Sequence, residues 1–576
     1  MTSRRWLTAV TALSLLVAAC AASSSTPPPG VATDGPSAPA TSSAAPTVAG
    51  SPACVAPVPP DTGTARWWHD RVFYEVFVRS FADSDGDGIG DLRGVIERID
   101  YLNDGDPSTS DDLGVTALWL MPVAASPSYH GYDVTDYRTI EPDYGTNADF
   151  KALVAAARAR GMEVIVDLVM NHSSVEHPWF TASAAGDPTY ADWYVWEDDR
   201  PTVSGPAGRR VWHELGGRYY YGYFWEGMPD LDVANAAVTI ELDSISRFWV
   251  DELGAAGFRL DAARHLIEDG SRLENTQDTF DWLGSFRTRL QAADPDALVL
   301  GEVWDATSVA SSYVRSGALD LTFDFGLASQ FLSAVRFADP ASLAIVQQEV
   351  TESYPEDGYA AFLTNHDQDR AFDVLGRDAA AARQAATLLL TNPGIPFIYY
   401  GEELGLRGRK PDERIRTPLP WTAEGPGFGF TAGEPWQAMA DGVETANVAT
   451  QTGDPASLLS WYRSLIAART SHPALSGGQL IPLESSVDGI YAVLRVDDST
   501  NEAVVVVSNL TDEPVTDVAL SLDEGPLCGE PRAAVILATA GGTAIAAPTI
   551  STAGGLEAWS VGALPAHGDV LITLTP

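Results

Sequence analysis

Four short apolar runs in this 576-residue chain each lead into a carboxylate. Met162 to Val166 runs into Asp167, Gly257 to Leu260 into Asp261, Leu298 to Gly301 into Glu302, and Ala361 to His366 into Asp367. An Asp after a strand can simply cap the next helix, because its side chain accepts from a free backbone N–H there. Four such endings, with Arg259, His172 and His366 beside them, suit a different chemistry. Cleaving a glycosidic bond needs one carboxylate to attack the anomeric carbon and a protonated one to donate to the leaving oxygen. Arg259 stands two residues before Asp261, on the same face of a strand, where its positive charge would keep Asp261 ionised. No His-Glu-x-x-His occurs, which argues against a catalytic zinc.

These acids can meet only if separate stretches of chain bring them to one place. Short runs rich in β-branched and aromatic residues begin at Val72, Val115, Met162, Gly257, Ala297, Ala318, Ala360 and Pro396 and alternate with amphipathic helical stretches. That alternation predicts an α/β fold, a closed (β/α)8 TIM barrel, in which polar residues at the C-terminal strand ends face the active-site mouth. Between the second and third runs, Thr146 caps a helix whose apolar face holds Phe150, Leu153, Val154 and Ala157, and Gly161 ends it. The stretch 172–231 is too long for a simple connection and dense in Trp, Tyr, Gly and Asp, so it reads as an inserted subdomain over the mouth. The barrel then occupies 66–171 and 232–475. After a last helix carrying Leu458, Leu459, Trp461, Leu465 and Ile466, only strand patterns follow, giving a C-terminal all-β sandwich over 476–576.

The first 20 residues read as an export signal, with Arg4 and Arg5 before an apolar stretch too short to span a bilayer. Leu16 to Cys20 resembles a lipobox, so Cys20 is expected to carry lipid on a cell-surface or released extracellular protein. Ser3 to Leu7 also hints at twin-arginine export. Residues 21–65, rich in Ala, Ser, Thr and Pro, read as a flexible linker. Cys54 and Cys528 remain as an even pair in an oxidising compartment; a disulfide and two free thiols are both open. With 35 basic against 78 acidic side chains, a net charge of -43, the chain would repel nucleic acid and suits a neutral partner. Membrane contact is expected only through the lipid, and the protein is expected to be a monomer.

Asp167-Leu168-Val169-Met170-Asn171-His172, Gly257 to His265, Gly301-Glu302-Val303-Trp304 and Phe362 to Asp367 resemble, in order, the four sequence regions of the alpha-amylase family, glycoside hydrolase family 13. The resemblance implies Asp261 as nucleophile, Glu302 as general acid/base and Asp367 as the group holding hydroxyls of the distorted sugar. It implies that His172 and His366 bind hydroxyls, that Tyr132 stacks on the sugar ring and that Arg259 supports the nucleophile. Starch-type glucans and maltooligosaccharides are the implied substrates. Met228-Pro229-Asp230-Leu231-Asp232 resembles the fifth family motif in a form intermediate between oligo-1,6-glucosidase and neopullulanase types, as in bacterial lipoprotein alpha-amylases. Ala262 resembles α-1,4-acting members, whereas Arg264 stands where many have Lys. Endo-acting α-1,4 hydrolysis is expected; α-glucosidase, cyclomaltodextrinase or neopullulanase-like and transglycosylase activities are the alternatives.

Asp83-Ser84-Asp85-Gly86-Asp87-Gly88-Ile89-Gly90-Asp91 alternates carboxylates along a glycine-rich loop, which suits a hard cation. Gly94 stands where an EF-hand needs its bidentate Glu, so that reading fails. The string resembles a family calcium loop, implying Ca2+ held by Asp83, Asp85, Asp87, Asp91 and the Ile89 carbonyl. A solvated acidic turn is the alternative, although carboxylates this crowded repel one another. Asn171 could serve the family's second calcium site, with partners that the sequence does not reveal.

Overall fold

A computed structural model describes residues 51–54, 66–539 and 545–575. The signal, Cys20 and nearly all of the linker lie outside the described residues. Eight parallel strands close a barrel in sequence order: β1 Phe73–Val76, β2 Ala117–Leu120, β3 Glu163–Leu168, β4 Gly257–Leu260, β5 Leu298–Gly301, β6 Leu321–Phe323, β7 Tyr359–Phe362 and β8 Ile395–Tyr399. Almost every strand residue is buried, because one face fills the barrel and the other packs under helices. Trp119, Phe323, Phe362 and Phe397 belong to the interior cluster that forms the floor of the mouth.

The helix Asn147–Arg158 begins at Thr146, whose hydroxyl accepts from the Asp149 N–H while Asp149 reaches back to the Thr146 N–H. That reciprocal cap satisfies two N–H groups that the helix itself leaves free. At the other end Gly161 adopts φ +78, a conformation that suits glycine. Gly257, which opens β4, is needed for a second reason: a Cβ there would lie 2.3 Å from the Leu298 carbonyl oxygen of β5.

Between β3 and β4 the chain forms a short helix, Pro178–Ala184, and a three-stranded antiparallel sheet, Trp196–Glu197, Trp212–Leu215 and Arg218–Tyr221. Beyond the helix Leu458–Ser471, five-stranded and three-stranded antiparallel sheets share one apolar core. Arg495 of that domain is fully buried and donates to the carbonyls of Thr391, Leu475 and Gly478, tying sheet to barrel. Cys54 and Cys528 form a disulfide with Cα atoms 5.0 Å apart, which closes the question that spacing left open. The Gly529 N–H donates to the Pro52 carbonyl at 3.0 Å, so residues 51–54 are fastened to the C-terminal domain.

Candidate active site

Parallel pairing places Asp167 of β3 beside Arg259 of β4. One residue past β4 the Asp261 N–H still donates to the Leu168 carbonyl, and one residue past β5 the Glu302 N–H donates to Leu260. Three carboxylates therefore surround one guanidinium at the C-terminal rim. Arg259 Nη1 lies 2.8 Å from Asp167 Oδ1 and 2.7 Å from Asp261 Oδ1, and Nη2 lies 3.0 Å from Glu302 Oε2. Arg259 is 1% exposed, so its charge is compensated almost wholly by these acids. Asp261 and Glu302 share that one cation, which keeps them within the roughly 10 Å that spans both stereochemical routes of glycoside cleavage.

Ala262, directly after Asp261, adopts φ 50, a left-handed conformation unusual for a residue with a Cβ. This turn aims its N–H at Glu302 Oε2, 3.0 Å away. Such strain persists where surrounding structure enforces it and clusters at functional sites. Burial raises the Glu302 carboxyl and the Asp261 charge adds to the effect, with Arg259 opposing. Burial likewise raises Asp261, and Arg259 pulls it back toward the ionised form through charge and a direct hydrogen bond.

Asp367 lies five residues past β7. Burial disfavours its charge, but the His366 and Arg416 cations overcome that and hold it well below the usual carboxylate range. Its oxygens lie 3.1 Å from His366 Nε2 and 2.9 Å from Arg416 Nη2. His172 Nε2 lies 3.9 Å from Asp261 Oδ2 and makes no hydrogen bond within the protein. Burial lowers its pKa to about 3, so the ring is neutral and its Nε2 is free to meet a ligand hydroxyl. Tyr132 stacks on the His366 ring at 5.7 Å and donates to Asp167 Oδ2 at 3.0 Å. The structure thus brings Asp261, Glu302, Asp367, Tyr132, His172, Arg259 and His366 together at one mouth.

The alpha amylase catalytic-domain model matches residues 75–478 of the chain. The chain belongs to the alpha-amylase family of glycoside hydrolases. It is 38% identical to alpha-amylase 3 of Dictyoglomus thermophilum over 454 residues, 77% of this chain and 85% of that protein. It is 32% identical to maltase 1 of Drosophila virilis over 533 residues, 78% and 81% of the two chains. Among solved structures, the alpha-amylase from H. orenii superimposes with a TM-score of 0.76 at 38% identity, covering 88% of this chain and 99% of that one.

In this family member Glu302 opens onto a cavity of about 320 Å3 lined by Arg209, Tyr223, Phe224, Arg264, His265 and Trp304. Arg264 is tied down, donating to the Trp304 carbonyl at 2.5 Å and pairing with Asp305 at 3.1 Å. Trp304 is 43% exposed and its ring lies flat on Phe325 at 4.5 Å.

Oxygens of Asp83, Asp85 and Asp91 all lie within 4.8 Å of one another, the donor set a hard cation takes. Asp87 does not join them; its Oδ1 accepts from the Ile89 N–H at 2.8 Å. Asp83 also accepts from the Thr431 hydroxyl, which links the loop to the segment beyond β8. The position of Asn171 gains partners that spacing did not reveal. Its Nδ2 donates to Asp230 Oδ2 at 2.9 Å, while Asn171 Oδ1 and Glu268 Oε1 are buried without a hydrogen-bond partner. Burial raises Asp230 strongly and the Glu268 charge adds to it, while burial pushes Glu268 itself to about 7. Asp230 sits inside the fifth motif, but nothing in the sequence marks Glu268.

Proposed function

We propose that this enzyme is an exported, retaining, endo-acting hydrolase of α-1,4-glucosidic bonds in starch and maltooligosaccharides. The observation that carries this reading is the shared guanidinium: Arg259 contacts both Asp261 and Glu302, and burial raises Glu302 toward proton donation at neutral pH. Asp261 attacks the anomeric carbon as the bond to the leaving oxygen breaks, and Glu302 gives that oxygen its proton. Glu302 then takes a proton from water, whose oxygen displaces Asp261, so configuration is retained overall. Asp367 and the neutral His172 hold hydroxyls of the sugar, Tyr132 offers it a ring face, and His366 supports Asp367 from within the protein. Trp304 gives the leaving-group side an apolar platform for further sugar units. The alpha-amylase names of the two relatives at 38% identity support starch as substrate.

Calcium fits the oxygen cluster of Asp83, Asp85 and Asp91 in the loop after β1, and the buried, unpartnered Asn171 Oδ1 and Glu268 Oε1 beside Asp230 suit a second ion between barrel and inserted subdomain. When bound it would neutralise carboxylates that otherwise repel, a stabilising rather than a reacting role. A product profile on soluble starch, pullulan, cyclodextrin and maltose, run with and without chelator, tests both ideas. Internal cleavage of starch to mixed maltooligosaccharides is expected, and glucose released from maltose as the dominant activity would replace amylase by α-glucosidase. Chelation should lower Tm by several degrees; an unchanged melting curve in a metal-free sample removes the calcium. We further place the enzyme at the cell surface through lipid on Cys20, and membrane retention of a Cys20→Ala variant would end that assignment.

A further inference from the structure

Glu75 interrupts the apolar run Val72 to Val78 in the middle of β1, and no step of the chemistry above uses it. It is 2% exposed, and its Oε1 lies 2.5 Å from Nδ1 of His366, itself fully buried. On the other edge of that ring, Nε2 lies 2.7 Å from the Tyr132 hydroxyl and 3.1 Å from Asp367 Oδ2. The Asp367 carboxylate, which Arg416 also holds and which stays ionised, can only accept from Nε2. Nε2 must therefore carry a proton, and a carboxylate facing Nδ1 requires one there as well.

We propose that Glu75 is a positioning residue for the hydrolysis, keeping both nitrogens of His366 protonated so that the ring orients the Tyr132 hydroxyl and the Asp367 carboxylate. The proposal rests on the catalytic reading above and adds the group that sets its charge state. The titratable and charged groups set against His366 are Glu75 from β1, Tyr132 from beyond β2, Asp367 beside it, Asp167 and Asp261 at the ends of β3 and β4, and Arg416 from beyond β8, which donates to the His366 carbonyl. Trp119 of β2 seals the ring with an edge contact at 5.7 Å. Burial would strip a proton from the ring. Asp367 and Glu75 reverse this and raise His366 to about 9. Asp367 can supply only part of the compensation, because Arg416 already claims its other oxygen. Glu75 touches no second cation among the described residues.

Glu75→Gln keeps the size and a hydrogen bond but removes the charge. The pH at which His366 loses its second ring proton, read by NMR of the imidazole-labelled enzyme, should move at least about one unit downward in the variant, with a larger activity loss on the alkaline side than near pH 5.5. A merely structural role would leave the His366 titration where it is in wild type, and titration curves that superimpose would overturn the proposal. Should the variant fail to fold, NMR of the imidazole-labelled wild-type enzyme decides instead: His366 should show two ring N–H protons at neutral pH, and one alone refutes the assignment. If Glu302→Gln retained full turnover, the catalytic reading would fail; if Glu302→Gln is inactive while the His366 titration in Glu75→Gln is unmoved, only the role of Glu75 falls.

Discussion

Glu302→Gln should cut starch turnover by about 10³-fold or more while leaving the fold intact, a loss within the range of positioned acid–base catalysis. The amide is nearly isosteric and its oxygen can still accept from the Ala262 N–H, now made by the Glu302 carboxylate at 3.0 Å. What it cannot do is release a proton to the leaving oxygen. The stability sign follows from the direction of the shift. Glu302 is raised in the folded state above the ordinary glutamate value of 4.5, so wild-type stability falls as pH climbs through that value, when the unfolded chain releases a proton the folded one retains. Gln does not titrate, and the variant should be at least as stable as wild type at neutral pH. An aryl glucoside whose leaving group needs no proton provides the control. Its glycosylation step should lose far less than starch does, whereas equal losses on both would remove Glu302 as the acid.

Much of this site was legible because parallel strands buried on both faces read as continuous apolar runs. The eight run starts fall within three residues of the strand starts; Gly257 coincides and Ala318 precedes Leu321 by three. Acids at the ends of those runs then had to converge, since barrel closure places all C-terminal strand ends on one rim. What spacing could not reveal is which residues meet through closure itself. Glu75 and His366 are 291 positions apart, and Arg416 reaches Asp367 from a loop without a recognisable pattern. Glu75 did leave a trace, as a charged residue inside an otherwise apolar run, but a buried charge becomes interpretable only with its partner in view. Ala262 left none, because its left-handed turn is imposed by tertiary structure on a residue type that does not seek it. The cysteine pairing depended on a distance between two chain segments 474 residues apart, which composition cannot supply.

Arg259→Met should be the most damaging substitution at the rim, because it withdraws one charge from three buried acids at once. Breaking a buried pair by removing one partner costs on the order of 3–5 kcal/mol, since the remaining charge is left uncompensated. Here Asp167 has no exposed side-chain surface and takes both of its Arg259 contacts from Nη1, at 2.8 and 3.0 Å. Burial already raises Asp167 from 3.8 to about 7, with Arg259 acting against the rise. Without that cation the folded protein must hold more protons than the unfolded chain at neutral pH. Stability of the variant should therefore fall as pH rises from about 4 through neutrality and recover on acidification. The same change raises Asp261 further toward its protonated form, which cannot attack, so turnover should drop more than about 10²-fold at neutral pH. Arg259→Lys should rescue little, as a single ammonium cannot occupy the Nη1 and Nη2 positions together. The measurements are Tm against pH and kcat/KM on starch for both variants. A Met variant that melts like wild type at neutral pH and still cleaves starch would mean that these acids do not depend on Arg259 for their ionisation, and the shared-cation account of the site would have to be abandoned.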